Sequence, residues 1–406
     1  MIDYRSPFSL PATRAEALAC LEDFLPKAVA YTARRNFVEP GHGNVSRLSP
    51  ATRTRLLLER ELRSAVRERH GAGPVAKFED EVGWRLYWKG WLELRPAVWE
   101  RYRSELGALS QRGNERARAV AAGESGVAMM DHFARELVET GYLHNHARMW
   151  WASYWIHVER LPWQIGADFF LRHLLDGDAA SNTLSWRWVA GLHTPGKTYL
   201  VRRSNLEKYV HPDLLGPCRE GLSKLDDAVA LALPVEVPPE PVFMSPGECL
   251  IDPLDLGRVG LWLHDEDLLP EDSPLAPLRP AAIAAVAPIG LWKAEHYSER
   301  KVAFLRRALR DGADRAADFF QCPAVVIDTD DLEEGITQWA VESGLETVVA
   351  LRPFVGPLAD RLPAIREALA ERGITLVVVR RPEDVAVMNE AKAGFFRFRE
   401  GLAVSC

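Results

Sequence analysis

Cysteine is scarce in this sequence, long apolar runs are missing, and basic charge is in no excess. The five cysteines, Cys20, Cys218, Cys249, Cys322 and Cys406, are odd in number and lack paired metal spacing. That speaks against a disulfide framework or a four-thiolate iron–sulfur cluster, and it fits reduced thiols in the cytoplasm. No apolar stretch reaches the roughly 18 residues that a membrane span requires. The opening MIDYRSPFSLPATR has no basic-then-apolar secretion leader. With a formal net charge of −7, the bulk balance demands no polyanionic partner. At 406 residues, a cytoplasmic globular protein of two domains is expected.

What is present divides near residue 233. The stretch LPVEVPPEPVFMSPGE (233–248) holds five prolines and favours an extended linker. Upstream, PATRTRLLLERELRSAVRERH and AMMDHFARELVETG show apolar residues at helical spacing, the second ending on a glycine. Downstream, five short apolar runs predict strands: RVGLWLH, AAIAAVAPIG, AVVIDT, TVVALRP and TLVVVRR. Amphipathic helices over 298–311, 332–344 and 357–372 separate several of them, the rhythm of a doubly wound parallel sheet. The expected organisation is a helical domain (1–235), a Pro-rich linker (236–256) and a Rossmann-like α/β domain (257–406). Charge follows the same line, at +1 over residues 1–250 and −8 over 251–406.

The helical half carries the chemistry. GHGNVSRLSP (41–50) sets glycines and serines before a predicted helix. There Ser46 and Ser49 either cap the helix or, with Arg47 and its free amides, meet an anion. EVGWRLYW places Glu81, Trp84, Arg85 and Trp88 at helical spacing, which suits either a buried face or a flat ligand. TGYLHNHARMWWASYW crowds His144, Asn145, His146, Arg148 and Met149 together. Residues two apart on a helix face away from each other, so a metal site on the two histidines is not expected. Pairing of Arg148 with an acid of DGD is the better reading. That motif opens DGDAASNTLSWRW (176–188), with two acids, an asparagine and two indoles in thirteen positions.

Taken in order, SRLSP, EVGWRLYW, GESGVAMMD, TGYLHNHARM and LPWQIGADFFLRHLLDGDAASNTLSWRW resemble the FAD-binding domain of the photolyase/cryptochrome family over residues 30–205. The resemblance implies an α-helical FAD-binding domain that binds FAD without help from the rest of the chain, beside an α/β doubly wound parallel-sheet domain. It also implies residue roles. Asp176 would pair with Arg148 at the isoalloxazine edge, Asp178 would lie on the ribose and adenine side, and Asn182 would face the flavin N5. Asn44, Val45, Ser46, Arg47, Leu48 and Ser49 would hold the pyrophosphate, with Tyr31 as a further phosphate contact. Val45 stands where many relatives have a hydroxyl residue. Glu81, Trp84, Asn145, Met149 and Trp188 match the set that lines a dimer-repair cavity, where two indoles stack on a flipped-out lesion and a carboxylate hydrogen-bonds it. Trp186 and Trp163 match the inner members of an electron relay whose outermost position falls on Ser110.

Three departures accompany the resemblance. The α/β domain follows the helical domain, as in a circular permutation, and its start carries HDEDL where the family has an Arg-rich segment. Basic positions expected to meet DNA phosphates are Ala147 (or His146) and Val201, with Arg202 beside the latter. The outer relay indole is missing. The expected function is light-dependent repair of damaged DNA, with a shallow salt dependence of binding. Alternatives are a cryptochrome-like photoreceptor with a protein partner, or a photolyase-derived flavoprotein acting on a small molecule.

Overall fold

The computed structural model describes residues 10–193, 198–234, 236–249 and 256–404. Residues 1–9, the end of the expected helical domain at 235, segment 250–255 of the expected linker, and Cys406 lie outside the described residues. No helix among the described residues is long and apolar enough to cross a membrane.

The main helices of the first half are α1 (Arg14–Phe24), α2 (Glu59–His70), α3 (Ala72–Glu93), α4 (Ala97–Arg112), α5 (Ala128–Thr140), α6 (Asn145–Ser153), α7 (Trp163–His173) and α8 (Ala179–Val189). In α3 the apolar stripe of the first turns widens until Leu86 to Glu93 are all buried. A helix buried all round needs partners on every side. Where α7 meets α8, a Cβ on Gly166 would lie 2.3 Å from the Trp186 ring. Glycine there lets the indole lie flat against the neighbouring backbone. Helix α6 runs on into a π-turn over Tyr154–Val158, the kind of irregularity often found beside functional sites.

The second half is a five-stranded sheet: β1 (Val259–Leu263), β2 (Ala282–Pro288), β3 (Ala324–Thr329), β4 (Thr347–Leu351) and β5 (Thr375–Val379). All pairs are parallel, in the order β3-β2-β1-β4-β5, so the chain reverses its direction of winding between β1 and β4. Side chains alternate as the two-residue period demands. Leu261, Leu263, Ile283 and Ala285 face one core with α9 (Glu299–Phe320). Trp262, Ala284 and Val286 face the other with α10 (Leu332–Glu342) and α11 (Leu362–Ala370).

The two halves do not stand apart. The core under α9 continues into α1 and α2 through Ala17, Leu21, Phe24, Leu62 and Val66. At the far end of the chain, α12 (Pro382–Met388) and α13 (Phe395–Val404) leave the sheet and pack on α3. A Cβ on Gly90 of α3 would lie 2.8 Å from Met388 Cα, so the small residue sets how closely α12 can dock. The linker is tied down as well: Val242 N donates to Leu94 O at 2.8 Å, and Met244 exchanges two hydrogen bonds with Asn389.

Charge pairs buried between the halves explain HDEDL. Asp265 and Asp267 follow β1 and meet arginines of the segment that precedes α2. Arg53 Nη1 lies 2.5 Å from Asp265 Oδ2, and Arg55 binds Asp384 through two contacts of 2.7 Å and Asp267 at 3.1 Å. Arg381 grips both oxygens of Asp267 at 2.8 Å. Burial alone would raise the Asp267 carboxyl, but the Arg381 and Arg55 guanidiniums hold it far below the usual carboxylate range.

Candidate active site

A cavity of about 630 Å³ opens in the helical half, walled by α3, α6, α7, α8 and the segment 45–52. That volume sits inside the roughly 300–1,000 Å³ usual for cofactor and ligand sites.

One wall is the turn between α7 and α8. Arg148 on α6 donates from Nε to Leu143 O at 2.7 Å and from Nη2 to Asp176 Oδ2 at 2.9 Å. Asp176 Oδ1 is buried with no hydrogen-bond partner among the described residues. Burial pushes the Asp176 carboxyl up, while Arg148 and then Arg85 pull it down, and the cations prevail. Asp178 caps α8 by accepting from Ser181 N at 2.7 Å, and its other oxygen lies 2.5 Å from Arg85 Nη1. It too is held low, by Arg85 and Lys89 against burial. Asn182 donates from Nδ2 to Ala167 O at 2.7 Å, which fixes the amide against α7 and leaves Oδ1 as its available acceptor.

Tyr31, Val45, Ser46, Arg47, Leu48 and Ser49 all border the cavity. Asn44 does not: its amide turns away, bonding Arg34 O and Phe37 O at 2.8 Å each. The expected helix start also differs. The helix there is five residues, Ser49–Arg53, with Leu48 at the cap position and no side-chain cap. Pro50 at the start supplies no amide to cap, and a second helix, α2, begins only at Glu59.

Glu81, Trp84, Asn145, Met149 and Trp188 border the same cavity. Glu81 is held by Arg35 at 2.9 Å and Lys77 at 3.2 Å. Trp84 has one face covered, because Phe395 of α13 stacks on it with centroids 3.8 Å apart and planes at 8°. Trp188 leans on Tyr199 at 5.7 Å. His144 and His146 do not face apart as the helical spacing implied. His144 precedes α6 as its cap, outside the helical repeat, so the two rings lie parallel with centroids 6.5 Å apart. Arg35 and Lys77 also border the cavity without having stood out in the sequence; Lys77, one turn before Glu81, was a local signal, while Arg35, 46 positions away, had none.

Trp186 borders the cavity and its ring touches Trp151, Trp155 and Phe170. Trp163 lies outside the lining and stacks on Tyr102 at 5.5 Å, which in turn meets Trp99 at 5.4 Å. Ser110 is exposed near the end of α4.

Burial leaves several imidazoles neutral. His146, His173 and His193 are each pushed down to about 4, first by desolvation and then by neighbouring cations: Arg35, Arg172 with Lys301, and Arg187 with Arg95 respectively. Below the ordinary histidine value of about 6.5 the unfolded chain binds these three protons and the fold does not. Glu266, raised to about 7 chiefly by burial, holds a proton in the fold and offsets one of them. Stability should therefore fall between pH 6.5 and 5, on the order of 1 kcal/mol per pH unit for each uncompensated histidine. Thermal melts at pH 7 and pH 5 test this; a melting temperature that stays level or rises on acidification contradicts it.

The geometry describes a dinucleotide-sized site of paired acids and cations beside two indoles, and the comparisons with known proteins agree with that class. Residues 78–211 match the family described as the FAD binding domain of DNA photolyase. The deoxyribodipyrimidine photo-lyase of Streptomyces griseus is 36% identical over 162 residues, 38% of this chain and 35% of that protein. That of Thermus thermophilus is 35% identical over 201 residues, 48% of this chain and 46% of that protein. A class III photolyase structure from Agrobacterium tumefaciens aligns with TM-score 0.44 and 28% identity, covering 51% of this chain and 44% of that one. The matched regions span less than half the length of these relatives.

The cavity residues fit FAD. Arg47, Arg85 and Arg148 supply cations for a pyrophosphate and an electron-rich ring, and the buried, unpartnered Asp176 Oδ1 suits a donor of a flavin's ribose or ring edge.

Proposed function

We propose that this protein repairs cyclobutane pyrimidine dimers in DNA with light, using bound FAD. The observation that carries the reading is that Glu81, Trp84, Asn145, Met149 and Trp188 share one cavity with Arg148, Asp176, Asp178 and Asn182. Reduced FAD supplies the electron that light drives to the lesion. The chain's own residues do the rest. Trp188 and the open part of Trp84 offer stacking surface to a flipped-out dimer, and Glu81 accepts from its imide groups. Asn182 would present an amide, not a charge, to a flavin ring bound there. Arg148 favours negative charge on the ring. Trp186 and Trp163 serve reduction of the flavin, and Tyr102 and Trp99 extend the aromatic series beyond Trp163 in place of an indole at Ser110.

The expected DNA contacts are thinned. Val201 and Ala147 are buried, and Arg202 is turned onto Ala228 O at 2.9 Å. Binding should then show a shallow salt dependence, since each phosphate neutralised adds about 0.9 to the slope of log affinity against log salt. This same thinning favours a second reading, a cryptochrome-like photoreceptor that signals to a protein partner.

UV-treated oligothymidine incubated with the pre-reduced protein, in light and in darkness, separates the two. Repair in light alone supports the first reading. Glu81→Ala and Trp84→Ala should each weaken lesion binding by about 1–3 kcal/mol while flavin content stays unchanged. Photoreduction without repair by the wild-type protein would instead favour the photoreceptor.

A further inference from the structure

The turn that carries Asp176 and Asp178 is held from the other half of the molecule. Lys301 lies in the first turn of α9 and is fully buried. Its Nζ donates to Leu171 O at 2.6 Å and Gly177 O at 3.4 Å, and it sits 3.8 Å from the centre of the Tyr297 ring. Two carbonyls and an aromatic face surround the ammonium. Leu171 belongs to the last turn of α7, and Gly177 stands between the two aspartates that border the cavity. One side chain thus fixes the distance from the end of α7 to the cap of α8. Ser298 adds a backbone tie, its N donating to Arg172 O at 2.9 Å.

Nothing in local preference places a lysine there. A cation in the first turn of a helix opposes the macrodipole, and burial opposes its charge. Desolvation, with Arg53 nearby, pushes Lys301 down to about 7. A residue that opposes both effects is held by what it binds, and what it binds is the cofactor turn.

We propose that Lys301 is a positioning residue of the flavin site, through which the α/β half sets the ligand geometry of Asp176 and Asp178. The inference rests on the reading that FAD fills the cavity. The full-length protein, stripped of flavin, is titrated with FAD and the dissociation constant read from flavin fluorescence. Lys301→Met, which keeps an unbranched apolar stem and loses the donors, should bind FAD about tenfold more weakly or worse. Lys301→Gln, which retains two donors, should recover part of the loss and guards against a methionine variant that does not fold. Leu305→Ala, on the same helix but facing the sheet core, supplies a variant of lowered melting temperature that does not touch the turn. Its FAD affinity should stay within about twofold of wild type. Lys301 variants that bind FAD like wild type overturn the proposal, as does a loss of affinity that Leu305→Ala reproduces. Wild-type protein that binds no FAD overturns the flavin reading itself, a distinct result.

Discussion

A chain ended near residue 235 should lose its flavin and aggregate, although sequence resemblance alone implies a self-sufficient FAD-binding domain within 30–205. The cut removes Phe354, Val385, Met388, Phe395 and Phe398 from the core around α3, and the whole of α9 from the core beneath α1 and α2. Large apolar faces on α2 and α3 would then meet water, which favours association. The cut also removes Lys301, so the turn bearing Asp176 and Asp178 loses its anchor. Gel filtration of the fragment, followed at the flavin absorbance band, reads both effects. A monomeric yellow fragment would show that the halves fold independently and that their shared core is dispensable.

The second large effect is expected at Asp267. Its carboxylate is the common partner of Arg55 and Arg381, and all three are buried. Asp267→Ala leaves two guanidiniums with less negative charge than their burial requires. Breaking such a buried pair typically costs about 3–5 kcal/mol. By contrast, Lys293 and Asp330 form a pair at 2.8 Å whose side chains are 68% and 74% exposed, so Asp330→Ala should cost at most about 1 kcal/mol. Urea unfolding of both variants gives the comparison. If the two midpoints move by similar amounts, water reaches the Asp267 site and the buried network does not hold the halves together.

Much of this could be read from the sequence because the signals were local. Each strand is an apolar run, such as TVVAL or TLVVV, and each shows in the structure at that place. The Arg148–Asp176 pair follows from two motifs that the resemblance had already brought together. The failures came where local spacing was the wrong guide. Pro50 directly after Ser49 shortens the predicted capped helix, and His144 lies before α6 and outside its periodicity. Other features depend on contacts between residues far apart in the chain. The acids of HDEDL acquire meaning from the arginines of TRTR, 212 positions earlier for both Arg53–Asp265 and Arg55–Asp267. Phe395 on Trp84 and Lys301 on Gly177 have no motif at all.

The stacking of Phe395 on Trp84 also sets a timetable for biosynthesis. Phe395 is polymerised roughly 300 residues after Trp84, which at about 5–20 residues per second is a delay of ~15–60 s. Throughout that interval Trp84, Tyr87 and the aromatic face of α3 lack their final cover, and Lys301 too arrives late. The nascent helical segment therefore exposes aromatic surface while the ribosome still works on the sheet. The wall of the cavity that Trp84 forms is backed only at the end of translation and not in its middle.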